Sequence, residues 1–227
     1  MKTPVNSRTL KQHITYSWWK YLLIAVAAVF LTDLLYTVTA YHPPRNKTVT
    51  FFVYGLTNEE KLTDYMASVN KSEMPDMESM TATMLIADGS YGPMQLTTFL
   101  AAGEGDVYLL PREQFLSFAT TGGLIPLENN AALMSVFDEK GISLQKGWRK
   151  DTESGENHLF GIPEDKLPGL RQYAYVEDGF LCVIATSGNP DNALKFMEIA
   201  CRDWVNPIEL PADEPSADPG PEPVPAG

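Results

Sequence analysis

Residues Gly105–Glu128 read GDVYLLPREQFLSFATTGGLIPLE. Val107 to Leu110 is an unbroken apolar run between Asp106 and Pro111, the pattern of a strand covered on both faces. Arg112 to Thr120 then presents Phe115, Leu116, Phe118 and Ala119 as the apolar side of a short helix, which Gly122 and Gly123 end. The unit predicts a strand, a helix and a return toward the sheet.

Working outward, the same alternation repeats. TVTFFVY (Thr48–Tyr54) is a second continuous apolar run, bounded by Gly55. Asn58 caps a helix whose apolar side is Leu62, Tyr65, Met66 and Val69. TATMLIA (Thr81–Ala87) is the next strand, ended by DGSYG, and a helix follows from about Gln95 to Ala102. A further helix spans Asn130 to Lys140, and residues 141–176 are less regular, rich in charge and aromatics. GFLCVIAT reads as a late strand, and Asn189 caps a last helix carrying Ala193, Leu194, Met197, Cys201 and Trp204. Strands separated by helices predict an α/β domain: one three-layer lobe with a mostly parallel sheet and helices on both faces.

Ahead of this domain, Tyr21 to Tyr41 is apolar for long enough to cross a hydrocarbon core of about 30 Å as a helix. A central Asp33 costs roughly 2.5–3.5 kcal/mol there, and the Leu, Ile, Val and Phe residues around it, each contributing about 0.3–0.6 kcal/mol, offset it. Tyr16, Trp18 and Trp19 suit an inner aromatic belt, and Tyr36 and Tyr41 an outer one. Lys2, Arg8, Lys11 and Lys20 precede the span, which predicts an N-terminus inside and everything after Tyr41 outside. A cleaved signal ending at VTA before Tyr41 is the rival reading. Asp33 either snorkels or pairs locally with Thr32 or Tyr36, or else meets a partner's membrane helix.

The expected organisation is therefore a cytoplasmic N-terminus (1–15), a membrane anchor (16–41), an extracytoplasmic α/β domain (42–205) and an acidic tail (206–227) expected to be disordered. That tail carries seven prolines and leans to polyproline II. A net charge of -12 leaves no basic surface for nucleic acid. Cys182 and Cys201 are too few for a disulfide framework and read as small buried hydrophobes, a single bridge being the alternative.

Three segments resemble the bacterial extracellular solute-binding proteins of ABC transporters, the family 1 group: GGLIPLE, HLFGIP, and VIATSGNPDNALKFME. The resemblance implies a periplasmic-binding-protein-like fold. Members of that family have two lobes that close on ligand, the second inserted after the GIP segment. Here only Glu164 to Asp178 separates GIP from the returning strand, too short for a lobe of about 50 residues. The chain thus resembles a single lobe, and hinge closure is not carried over.

Catalytic, metal and cofactor motifs are absent. His13, His42 and His158 are scattered, and neither a P-loop nor a dinucleotide fingerprint follows a strand. The chain reads as no enzyme, with no cofactor. Open parallel sheets bind beyond the carboxyl ends of their strands, which nominates Asn58, Asp88, Ser90, Tyr91 and Arg112, with Trp148 as a further aromatic. Asn58 and Asp88 can hydrogen-bond hydroxyls or an amine, Tyr91 can stack on a ring, and Arg112 can pair with a carboxylate. Each also has a structural reading, as a helix cap, a turn or a solvated first-turn residue. The expected function is a non-enzymatic interaction or assembly module with a membrane or extracytoplasmic protein partner. The alternative is the small-solute (sugar or peptide) binding component of a transporter or sensor.

Overall fold

The computed structural model describes residues 7–41, 43–85, 91–152 and 154–207, with side chains from residue 18 onward. The chain falls into two units, Met1–His42 and Pro43–Gly227. The first is one helix, α1 (Ser7–Thr39), whose stretch Trp18–Thr39 is apolar and long enough to cross a membrane at 22 residues. At 1.5 Å per residue that stretch covers about 33 Å. The Thr32 hydroxyl donates to the Ala28 carbonyl and the Thr37 hydroxyl to the Asp33 carbonyl, so both are used by the helix itself.

In the second unit the apolar runs become the sheet. The strands are β1 (Thr48–Tyr54), β2 (Leu56–Thr57), β3 (Ser79–Leu85), β4 (Val107–Leu110), β5 (Trp148–Lys150), β6 (Asn157–Leu159), β7 (Ile162–Pro163), β8 (Ala174–Tyr175) and β9 (Phe180–Val183). The helices are α2 (Glu59–Ser72), α3 (Tyr91–Ala102), α4 (Arg112–Ala119), α5 (Ala131–Asp138) and α6 (Pro190–Trp204). The central sheet has the order β3-β1-β4-β9-β7. β1 pairs parallel with both β3 and β4, while β9 runs antiparallel to β4 and to β7. Four strands share one direction and β9 opposes them, so the sheet is mostly parallel. The pairs β2–β8 and β5–β6 form separate two-stranded ribbons.

Alternation along β1 builds the three layers. Val49, Phe51 and Val53 enter a cluster with Leu62, Met66 and Val69 of α2, Leu133 and Phe137 of α5, and the buried stripe of α6. Phe52 and Tyr54 enter a second cluster with Leu96 and Leu100 of α3 and Phe115 and Ala119 of α4. Both cysteines are buried and unbridged, and burial raises both thiols well above their ordinary value.

The buried Asp106 fastens the amino ends of the strands. Its carboxylate accepts from the Thr50 N–H at 2.9 Å and the Ser187 hydroxyl at 2.6 Å. Burial pushes this carboxyl up, against the lowering effect of those two donors.

Several expectations shift. α3 begins at Tyr91 rather than Gln95, because Pro93 falls in the first turn, where a missing N–H leaves no bond unmade. β3 begins at Ser79, and residues 86 and 87 lie outside the described residues. Asn58 and Asn130 do cap their helices, accepting from the N–H of Lys61 and Leu133. Asn189 does not. Its side chain is buried and donates to the Thr48 carbonyl at 3.0 Å, tying α6 to β1 instead. His42, and the tail from 208 on, lie outside the described residues, as does the side chain of Tyr16.

Candidate functional site

The carboxyl ends of β1, β3, β4 and β7 all point to one rim of the sheet, and the chain there is irregular. Gly55 turns β1 into β2, and a Cβ at this position would meet Val176 Cγ2 at 2.7 Å and the Tyr175 carbonyl at 2.8 Å. That close approach lets β2 pair antiparallel with β8, placing Leu56 opposite Tyr175. The resulting ribbon stands outside the main sheet and carries both side chains into solvent.

Within the second unit, the exposed large apolar side chains among the described residues are Leu56 (72%), Met84 (38%), Tyr91 (62%), Met94 (69%) and Tyr175 (43%). All five follow or end strands at this rim or open the helix after one. Scattered exposed apolar residues need no explanation, but their confinement to one edge does. A shallow open trough of about 700 Å³ lies between Leu56, Asn58, Met84, Arg171 and Tyr175. Another of about 480 Å³ runs between Tyr54, Pro111, Arg112 and Val176.

Some charges of the rim are paired. Glu164, 4% exposed, accepts from Arg171 Nε at 3.2 Å. The Arg171 guanidinium also lies 5.8 Å from the centre of the Tyr175 ring, holding that ring in place. Lys146 pairs with Asp165 at 2.9 Å. Burial pushes the Asp165 carboxyl up, but Lys146 and Lys166 outweigh it and hold it below its usual value. The bond to Asp165 raises Lys146 in turn.

Arg112 lines both a hollow of about 180 Å³ beside Lys146 and Asp178 and the trough at Pro111, and no acid pairs with it among the described residues. Burial lowers the Arg149 guanidinium, and the nearby charge of Arg112 adds to this. Arg149 instead lies 5.6 Å from the centre of the Phe115 ring.

The structure brings together only part of the predicted set. Asn58 and Arg112 line adjoining hollows of the rim, although Asn58 spends its side-chain oxygen on its helix. Tyr91 is solvent-facing at the start of α3. Asp88 and Ser90 lie outside the described residues. Trp148 belongs elsewhere: as the first residue of β5 it pairs with Leu159 and packs half-buried against the larger core cluster. Asp33 lies in the other unit. The rim residues that the sequence reading did not place there are Met84, Met94, Arg171 and Tyr175. One signal was available for the last two, the charged and aromatic segment between GIP and the late strand.

Among the described residues no group of His, Cys, Asp and Glu could hold a metal. His158 is held by a carboxylate: its Nδ1 lies 2.5 Å from Glu128 Oε1, while Glu128 Oε2 accepts from the Leu159 N–H at 3.0 Å. The bond to Glu128 raises the His158 pKa. With the folded value above the unfolded value of about 6.5, the stability from this pair is complete below pH of about 6.5 and is lost as pH rises through the raised folded value. The melting-temperature gap between the protein and its His158→Gln variant is therefore expected to be widest near pH 6 and to close toward pH 9. A gap that widens with pH would show that the pair does not act as a charged bridge.

No protein-family model matches the sequence, and no curated protein matches it. Among solved structures, the chain is similar to an extracellular solute-binding protein family 1 from Alicyclobacillus acidocaldarius subsp. acidocaldarius DSM 446. Identity is 22% and the TM-score 0.38, over 51% of this chain and 27% of that one. It is also similar to an uncharacterized protein from Listeria monocytogenes EGD-e, at 17% identity and a TM-score of 0.38, over 52% of this chain and 28% of that one. The chain spans little more than a quarter of either, and likenesses of this strength carry no functional argument.

Proposed function

We propose that this chain is a membrane-anchored, extracytoplasmic and non-enzymatic interaction module, and that a protein partner docks on the carboxyl rim of its sheet. The observation that carries the reading is the gathering of Leu56, Met84, Tyr91, Met94 and Tyr175 at that single edge. Tyrosines give large contact area at low entropic cost, and methionines adapt to an irregular counterpart. The troughs beside them are wide and shallow, which suits a protein surface better than an enclosed solute. The anchor rests on the apolar length of Trp18–Thr39 and on the cationic residues that precede it.

A second reading, that the rim binds a small solute, is favoured by one observation: Arg112 lines two hollows without a paired carboxylate. One experiment separates the two. A photo-cross-linking residue is placed at position 56 or 175 of the full chain in its native membrane, with the exposed Asp76 as control position. Protein adducts at 56 and 175, absent at 76, are the expected result. No adduct at the rim, together with a sugar or peptide that raises the melting temperature and loses that effect in Arg112→Ala, would assign the rim to the solute. Equal adducts at all three positions would remove the reason for placing a partner there.

A further inference from the structure

β3 is an edge strand of the central sheet. It pairs along all seven of its residues with β1, and among the described residues no strand pairs on its other side. Among the described residues, no other backbone bond is made by Ser79–Leu85, so the outward N–H and C=O groups are unpaired. Edge strands are ordinarily protected by a charge, a proline, a bulge or a cover. SMTATML carries no charge and no proline, and its register with β1 runs without a bulge. Thr81, Thr83 and Met84 are exposed.

The sequence of this edge also reads the same in both directions. Met80–Met84 is MTATM. In an antiparallel pairing of two copies about a two-fold axis through Ala82, Met80 opposes Met84, Thr81 opposes Thr83, and Ala82 opposes itself. Every cross-strand pair is then like with like: methionines on the α2 face, threonines on the other, and no charge facing a charge.

The helix above the edge permits the approach. α2 packs on β3, and on its opposite flank Tyr65 contacts Trp204 and Asp203 of α6. Helical geometry at 100° per residue turns Thr63 and Asn70 away from that flank, toward the free edge, with Glu59 on the same side at the first residue of the helix. Thr63 and Asn70 are small and uncharged, Thr63 is exposed, and the charge of Glu59 is confined to the helix's first turn, beyond Met84.

We infer that the β3 edge is a self-association surface, pairing antiparallel with β3 of a second copy of this chain so that the central sheet runs through both. The inference shares Met84 with the carboxyl rim and leaves Leu56, Tyr91, Met94 and Tyr175 exposed there for a docking partner.

The test uses the full chain in detergent micelles and in bilayers, with dimer measured by sedimentation and by cross-linking. Thr81→Lys with Thr83→Lys sets ammonium groups opposite one another in both symmetry-related pairs, and self-association is expected to weaken at least about tenfold. Thr81→Lys with Thr83→Glu places opposite charges across the same pairs and is expected to keep the dimer. It also controls for folding, since both double variants alter the same exposed positions. An Ala82→Cys variant is expected to form an intermolecular disulfide on oxidation, because directly opposed residues of paired strands fall within the Cα separation a disulfide spans. A monomeric wild-type chain would overturn the inference. So would a dimer indifferent to the lysine pair, or one that Ala82→Cys does not bridge.

Discussion

Gly147→Ala is expected to lower the stability of the α/β domain by at least about 3 kcal/mol. Gly147 is buried just before β5, where the chain crosses under the GIP segment. A Cβ added to it would land on the carbonyl oxygen of Gly161 and 2.8 Å from Leu159 Cδ1. The first obstacle is backbone, which cannot rotate away as a side chain can. Moving it would break the bond from the Phe160 N–H to the Gly147 carbonyl, 3.1 Å long, and would disturb the Phe115–Phe180 stack, because Gly161 also lies against Phe115. For a domain of this size the melting temperature should fall by roughly 6–12 °C. An unchanged transition would mean that the two segments separate freely and that the crossing is not tight.

Trp204→Ala is expected to cost about 3–5 kcal/mol, the range for removing a large buried ring. Trp204, 1% exposed, stands among Tyr65 (5.2 Å between ring centres), Tyr173 (5.9 Å) and Phe51 (6.1 Å), so one side chain joins α6 to α2, the 173 segment and β1. Its indole Nε1–H is buried without a hydrogen-bond partner. Trp204→Phe leaves an aromatic ring and removes that unpaired donor, so its cost should stay below about 2 kcal/mol. Calorimetry of the three proteins measures both effects. Equal losses for Ala and Phe would show that the indole makes a bond the geometry does not contain.

The main strands and helices were legible because their signals are local. Thr48–Tyr54 and Val107–Leu110 could be read as doubly covered strands from composition, since a strand with helices on both faces has no polar side to show. Asn58 and Asn130 could be read as caps because a cap acts within three residues. Asn189 has the same chemistry in the same position, yet serves β1, because the strand it reaches is 141 residues away in sequence. The reversed direction of β9 was likewise not local information. Its apolar run is the same whichever way it is threaded, and only its pairing with β4 and β7 decides it.

The candidate site was less legible than the core. Carboxyl-end logic found Asn58 and Arg112, which follow strands directly, and Tyr91, which opens the helix after β3. It missed Tyr175 and Arg171, which reach the rim from a segment more than a hundred residues after β1. Trp148 was nominated as an aromatic in a polar stretch, and it packs half-buried against the core instead of joining the rim, because β5 folds back onto β6.

What the sequence determined by itself is the succession of strands and helices, the caps that act within a turn, and an apolar helix ahead of the domain. Each depends on residues a few positions apart. The tertiary structure alone decided which strand lies at the edge, which way β9 runs, and which exposed side chains share a rim. Those are matters of pairing between distant segments, which side-chain periodicity does not encode.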